Sequence, residues 1–340
     1  MQALQVIKPG ELRLVQVDTP RITKPTEVLV RIKAAGICGS DLHIIRGTNP
    51  YATYPRIIGH EASGIVEAVG SQVTALKPGD PVVLEPILSC GHCYACSHGR
   101  PNVCEHLQVR GVHLDGGFAQ YLVSEEKYLH RLPAGLDLNV AALIEPFTIG
   151  AQANARAATQ PGDTVLIHGA GPIGLIAMLV AKSLGARCMV SEINPSRREK
   201  ASQLGADAVI DPLHTDLEAE IMRLTDGKGV NVIHEATGVP SLLAQSVKLA
   251  STAGRIVAFA YGAEPIPIDF MQVNKKELTL LGLRHQTYQF EPMIRFVAQH
   301  EQTARQLISH QLPLGDYESA LELFDGHHQG VYKVLLTMDA

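Results

Sequence analysis

Four of the six cysteines lie between Cys90 and Cys104, in the pattern Cys90-x2-Cys93-x2-Cys96-x7-Cys104. Thiolates this closely spaced converge from one loop, and four of them complete a tetrahedron with no position left for substrate. Such a site folds its loop and does no chemistry of its own. Zinc is the ion the pattern favours; an iron–sulfur cluster or a group of metal-free thiols are the alternatives.

A second, looser set mixes donor types. Cys38 sits in Gly36-Ile-Cys-Gly-Ser-Asp-Leu-His43, His60 and Glu61 follow Gly59, and Glu145 lies in Ile144-Glu-Pro-Phe147. Singly none is diagnostic, since a lone Cys is usually a small buried apolar residue. Together they offer one thiolate, one imidazole and two carboxylates. That mixture suits a catalytic zinc, which keeps a position open for water or substrate.

The third chemical signal is Gly169-Ala-Gly171-Pro172-Ile173-Gly174, which follows an apolar strand and opens a helix. The first glycine permits the tight turn, the second lets backbone approach a pyrophosphate, and the third lets helix and strand pack closely. The helix N-terminus offers unpaired N–H groups to the phosphates. Glu192 ends the next strand, where an acid can bond adenosine ribose hydroxyls and repel a 2′-phosphate, so NAD is expected over NADP. Arg197 and Arg198 keep NADP open, although stacking on adenine or a solvated helix face would explain them equally well.

The elements that must position these groups fall into two textures. Up to about residue 145, short β-like runs alternate with Pro and Gly: Leu12–Val17, Val28–Ala34, Gly64–Val69, Pro81–Leu84 and Ala119–Val123. Little helical periodicity shows there, so an irregular all-β domain with loops is expected, one loop presenting Cys38, Ser40 and His43. From Asp163 strands and helices alternate: Thr164–His168, Pro172–Leu184, Arg187–Ser191, Asn194–Gln203, Ala208–Ile210, Leu217–Thr225, Asn231–His234, a helix from Pro240, Arg255–Ala260 and Leu278–Leu283. That alternation predicts a parallel, doubly wound sheet. Helices and a final strand, Lys333–Leu336, follow Arg284 and are expected to rejoin the first domain.

Composition excludes several classes. An apolar fraction of 46% over 340 residues supports sizeable cores, and a net charge of −5 without basic runs argues against nucleic acid or a membrane surface. The longest apolar stretch, Thr164 to Ala181, is broken by His168, Gly169, Gly171, Pro172 and Gly174, unlike a spanning helix. No secretory signal opens the chain, so a soluble cytoplasmic protein is expected, with its clustered cysteines binding metal before forming disulfides.

The run Gly59-His-Glu-Ala-Ser-Gly64-Ile-Val-Glu-Ala-Val-Gly70-Ser-Gln-Val73 resembles the signature of zinc-dependent medium-chain alcohol dehydrogenases. Cys38-Gly-Ser-Asp-Leu-His43 stands upstream, and the four cysteines and the glycine motif follow in the family's order. The resemblance implies an α/β protein: a GroES-like β-rich catalytic domain at 1–146 and 285–340, with a structural zinc lobe at 90–104, and a Rossmann NAD-binding domain at 147–284. It implies an active-site cleft between these domains, and a homodimer or homotetramer. Two zinc ions per subunit are implied: a structural one on Cys90, Cys93, Cys96 and Cys104, and a catalytic one on Cys38, His60 and Glu61. Glu145 is similar to a carboxylate that binds this metal directly or through its water. By the same resemblance Ser40 takes the substrate proton and His43 passes it outward through the nicotinamide ribose. Zinc would act as a Lewis acid on a substrate hydroxyl, with hydride passing to nicotinamide.

Within the family the chain is most similar to the branch of sorbitol, L-threonine and bacterial sugar-acid dehydrogenases. Asn49-Pro-Tyr-Ala-Thr-Tyr-Pro-Arg56, Gly111-Val-His-Leu-Asp-Gly-Gly117 and Ile144–Phe147 resemble L-gulonate or L-idonate 5-dehydrogenases and L-galactonate dehydrogenase. These oxidise a secondary hydroxyl of a sugar acid to a keto acid. Arg284 matches a substrate-contacting arginine of sorbitol dehydrogenase and could grip a carboxylate at two points, a domain-interface ion pair being its structural alternative. Arg46 and His113 are further cations. Ile44 stands where sorbitol dehydrogenase has tyrosine, which turns the expectation away from a plain polyol. Polyol or L-threonine oxidation on the same machinery, a zinc-stabilised nucleotide-binding sensor and a zinc-free enone reductase are the competing readings; the last two have no use for an open metal site and a proton relay.

Overall fold

A computed structural model describes residues 1–259, 264–326 and 328–338. The chain divides into two compact units, Met1–Glu145 with Thr287–Ala340, and Pro146–Gln286. The protein is α/β, with an irregular β-rich unit and a parallel doubly wound unit.

In the first unit the strand Glu27–Gly36 is the hub. Val28, Val30, Ile32 and Ala34 alternate inward along it and are fully buried, each large apolar side chain contributing about 1.5–3 kcal/mol. It pairs antiparallel with Glu61–Val69, Tyr121–Glu125 and Lys333–Thr337. Along the main path the order is Leu129–Arg131, Pro81–Leu84, Glu61–Val69, Glu27–Gly36, Lys333–Thr337, Ile308–Pro313, with Tyr121–Glu125 joined to Glu27–Gly36 off that path. The C-terminal segment is thus woven into the sheet that the N-terminal segment begins. Leu4, Ile44, Phe118, Leu314 and Leu336 share its core.

The expectation of a first region nearly devoid of helix needs correction. Gly39–Ile45 is helical, so Ser40 and His43 project from a helix and not from a loop. Cys38 occupies the N-cap position in extended conformation, and Asp41 at N3 accepts the Cys38 N–H at 2.9 Å. A cysteine cap followed by glycine lacks the usual Ser, Thr, Asp or Asn start signal, and two turns are too few for a periodicity to register.

The second unit carries a six-stranded sheet in the order Ala208–Ile210, Arg187–Ser191, Thr164–His168, Val230–Glu235, Ala250–Ala258, Thr279–Gly282. Every pairing is parallel. Crossover helices include Pro172–Ser183, Pro195–Gln203, Leu217–Leu224 and Pro240–Leu249. Asn194, expected as the first helical residue, is instead the cap, accepting the N–H groups of Ser196 and Arg197. The fifth strand starts at Ala250, earlier than the expected Arg255, because Ala250 pairs with Val230 before a register shift; Ala260 falls outside the described residues. Among those residues no helix is long and apolar enough to cross a membrane.

Candidate active site and metal centres

Three strand ends build the mixed-donor site. Gly36 pairs with Glu61 on one side and Leu335 on the other. Cys38 therefore emerges beside His60 and Glu61, with Lys333 arriving from the last strand. A Cβ on Gly36 would lie 2.1 Å from a Glu61 carboxylate oxygen, so only glycine leaves room for that acid. The donor atoms of Cys38, His60 and Glu61 lie within 4.8 Å of one another.

The surroundings of these three are charged and buried. Asp41, fully buried, faces His60 Nδ1 at 3.5 Å, and Ser40 Oγ lies 3.4 Å from His60 Nε2. Lys333, only 4% exposed, donates to the Glu61 carboxylate at 2.6 Å and to the Ile37 carbonyl at 3.1 Å. Burial alone would strip this ammonium of its proton; the Glu61 and Cys38 charges outweigh it and raise the pKa. For His60, too, burial disfavours the charged ring, but Asp41 and then Cys38 hold its proton affinity well above the usual imidazole range. Glu145 stands outside the close group, yet its charge couples to His60, Glu61 and Lys333; burial pushes its pKa up to about 7.

This donor set fits a zinc ion. Buried acids crowd one imidazole, and His60 Nδ1 and Asp41 Oδ1 make no hydrogen bond with protein although buried. A cation held on Cys38, His60 and Glu61 would offset that concentration of negative charge, and a metal on one ring nitrogen would turn the other toward Asp41.

The four-cysteine cluster is built differently. All four Sγ atoms lie within 4.8 Å of one another, and those of Cys93 and Cys104 are 3.8 Å apart. Backbone N–H groups of Cys90 and His106 point at Cys104 Sγ at 3.3 Å, and that of Cys93 at Cys90 Sγ at 3.4 Å. Donors from the backbone around Cys96 and Glu105 draw the Cys93 thiol down to about 6. None of the six cysteines is bridged. Four sulfurs this close, with backbone N–H donors on those of Cys90 and Cys104, suit a closed tetrahedral zinc.

In the second unit the glycine motif turns as its sequence requires. Gly169 has φ +91°, and a Cβ on Gly174 would fall 2.0 Å from the Gly169 carbonyl oxygen. Gly171 caps helix Pro172–Ser183, whose first turn holds Pro172 and Ile173, and faces open space where a Cβ would stand. The motif thus leaves a bare backbone at a helix N-terminus, which fits a pyrophosphate. Buried Glu192 accepts the Ala170 N–H at 2.7 Å and the Asn194 N–H at 2.8 Å, tying the strand-end acid to the glycine turn. Arg197 is half-buried in the helix that follows.

Every donor read from the sequence as a ligand to the four-cysteine site is brought together, and three of the four read for the open site are. Ser40 and His43 are neighbours on one helical face, and His43, exposed, bonds Thr48 Oγ1 at 2.8 Å. Arg284 is exposed just beyond the last strand of the second unit. Arg46 is committed to Asp325, and His113 Nδ1 accepts the Val109 N–H at 3.1 Å. Two residues were missed. Asp41 had a signal, three positions after Cys38, where a helix-start acid reaches back to its cap. Lys333 had none, being brought to Glu61 only by strand pairing.

Comparison with known proteins decides the class. Residues 24–134 match the alcohol dehydrogenase GroES-like domain and residues 172–299 match zinc-binding dehydrogenase. The chain belongs to the zinc-binding alcohol dehydrogenase family. Its relatives include the starvation-sensing protein RspB of Escherichia coli K12, 39% identical with 99% of both chains covered. The 2-dehydro-3-deoxy-L-galactonate 5-dehydrogenase of Pseudoalteromonas atlantica is 37% identical over 92% of each chain. The L-galactonate-5-dehydrogenase of Escherichia coli K12 is 36% identical over 95% of this chain and 94% of its own. Among solved structures, an alcohol dehydrogenase (rspB) from Escherichia coli CFT073 complexed with NADH is 37% identical, with TM-score 0.93 and 99% of both chains covered. A Sinorhizobium meliloti 1021 chain bound to NADP is 30% identical, with TM-score 0.91, covering 99% of this chain and 98% of its own. This family member is therefore an oxidoreductase of the zinc alcohol or polyol dehydrogenase kind, with a nicotinamide coenzyme.

Proposed function

We propose that the protein is an NAD-dependent dehydrogenase that oxidises a secondary hydroxyl of a sugar acid to a keto acid, in the manner of a hexonate 5-dehydrogenase. The observation that carries the reading is the convergence of the donor atoms of Cys38, His60 and Glu61, with Ser40 and His43 on a helix capped by the same cysteine. Cys38, His60 and Glu61 would hold the catalytic zinc, Glu145 would approach it, and Cys90, Cys93, Cys96 and Cys104 would hold the structural one. Bound zinc supplies Lewis acidity toward the substrate hydroxyl, and NAD supplies the hydride acceptor.

The chain's own residues handle the proton and the orientation. Ser40, half-buried and adjacent to His60, relays the hydroxyl proton, taking it up as its own O–H proton is given onward; His43, one turn along and exposed, is the exit to solvent. The open backbone at Gly169, Gly171 and Gly174 receives the pyrophosphate, and Glu192 the adenosine ribose. Arg284 is the cation proposed to hold the substrate carboxylate. The sugar-acid choice is supported by two relatives named for the 5-position of such acids. We further propose that the enzyme works in the cytoplasm as a homodimer or homotetramer.

The test is NADH formation by the purified protein with NAD and, separately, L-gulonate, L-idonate, L-galactonate, sorbitol, xylitol and L-threonine. Turnover on a hexonate that Arg284→Ala weakens mainly through KM supports the reading. Preference for sorbitol or L-threonine overturns the substrate class and keeps the machinery. Coenzyme binding without turnover on any of them favours a sensor.

A further inference from the structure

Arg198 lies on helix Pro195–Gln203, close behind the acid that ends the second strand of the coenzyme-binding unit. Two of its three guanidinium nitrogens are engaged. Nη1 donates to the carbonyls of Glu192 at 3.1 Å and Ile193 at 2.6 Å, and Nη2 pairs with Asp211 Oδ2 at 2.8 Å. Asp211 directly follows the edge strand Ala208–Ile210. It is fixed in turn by the Leu213 N–H at 3.0 Å on Oδ1 and by His214 Nδ1 at 2.9 Å on Oδ2.

Dinucleotide folds separate their two coenzymes at this spot: an acid takes the ribose 2′-hydroxyl of NAD, whereas an arginine takes the 2′-phosphate of NADP. This chain has Glu192 and, on the next helix, both Arg197 and Arg198, and the solved relatives hold one coenzyme or the other. Of the two arginines, Arg198 has its charge paired with Asp211 and its donors turned under backbone carbonyls. We propose that Asp211 is a coenzyme-specificity residue: by clamping Arg198 it withdraws the phosphate-binding cation and leaves the choice to Glu192. The inference rests on the coenzyme site described above and deepens it.

The test is direct binding of NADH and NADPH to the zinc-loaded protein by nicotinamide fluorescence, without substrate. Asp211→Asn keeps the shape and removes the charge. NADPH should then bind about tenfold more tightly, the worth of one charge-assisted contact, while NADH changes by less than about twofold. Adding Arg198→Ala should abolish the gain. An unchanged NADPH affinity in folded Asp211→Asn overturns the proposal, as does a gain that survives loss of Arg198, which would assign it to Arg197. Should Asp211→Asn not fold, Arg198→Ala alone decides. A withdrawn arginine leaves the NADPH-to-NADH affinity ratio unchanged, and a fall in that ratio sinks the clamp. Wild-type protein that binds neither coenzyme would instead defeat the coenzyme site itself, a distinct result.

Discussion

Two sets of buried ionisable groups, one in each unit, are kept by opposite rules. In the first, Asp41, Glu61 and Lys333 are buried around His60 and Cys38. Each charge is compensated by a neighbour from a different strand or helix. In the second, His168 and His234 are fully buried, and no charge offsets their desolvation. Desolvation drives their pKa values down to about 4 and about 3, keeping both rings neutral. Fully buried Glu235 is satisfied locally, by Thr237 and the N–H of Gly238. Charges gathered from distant segments are the candidates for chemistry, whereas the two neutral histidines and the locally served Glu235 need only a structural account.

The largest test of that contrast is Cys38→Ser. If the first unit's cluster is the catalytic centre, kcat/KM should fall by about 10⁴-fold, since the substitution removes a metal ligand worth several kcal/mol of transition-state stabilisation. Zinc content should drop by one ion while the four-cysteine site keeps its own. Loss of both ions would show that the two centres are not independent.

Lys333→Met comes next. Breaking a buried pair from one side leaves Glu61 uncompensated, and about 3 kcal/mol of stability should be lost in zinc-depleted protein. Zinc would supply the missing positive charge, so the loss should be smaller in the loaded protein. Urea unfolding in the two states measures this, and equal losses would mean that Glu61 does not face the metal.

Legibility in the sequence followed the same divide. Much of the coenzyme unit was readable, because its strands are continuous apolar runs and its glycines stand at fixed offsets, but helices Ile144–Ala157 and Phe270–Lys276 were not read and the fifth strand begins five residues before the expected Arg255. Thr164–His168, Arg187–Ser191 and Ala208–Ile210 fall where the pattern puts them. The four-cysteine lobe was readable because its donors are neighbours in the chain. The open site was only half readable. Cys38, His60 and Glu61 are visible as residue types, but helix Gly39–Ile45 has no ordinary start signal, and Asp41 passed as a loop acid. Lys333 is invisible to any local rule: its role exists only through the pairing of the last strand with Glu27–Gly36.

Acid should expose the second unit's rule. The unfolded chain takes up a proton on each histidine near pH 6.5, whereas the folded protein refuses until about 4 for His168 and about 3 for His234. Stability is therefore undiminished above pH 6.5 and falls as pH drops below it. The two sites together should remove about 2 kcal/mol by pH 6. Denaturant midpoints for the chain between pH 7.5 and 6 read the slope, and a flat profile would show that the rings already carry partners when folded.

His168→Leu gives the smallest and cleanest comparison. His234 keeps one bond, Nε2 to Asn154 Oδ1 at 3.2 Å, while neither nitrogen of His168 bonds to protein. Replacing a wholly buried, unsatisfied ring by an apolar side chain should stabilise the unit by about 1 kcal/mol at pH 7.5. It should also remove roughly half of the acid slope. The same change at His234 strands the Asn154 carbonyl oxygen and should not stabilise. A histidine at position 168 that proved costly to remove would mean that this solitary ring is held by a group from the coenzyme site, and the line drawn between the two units would have to move.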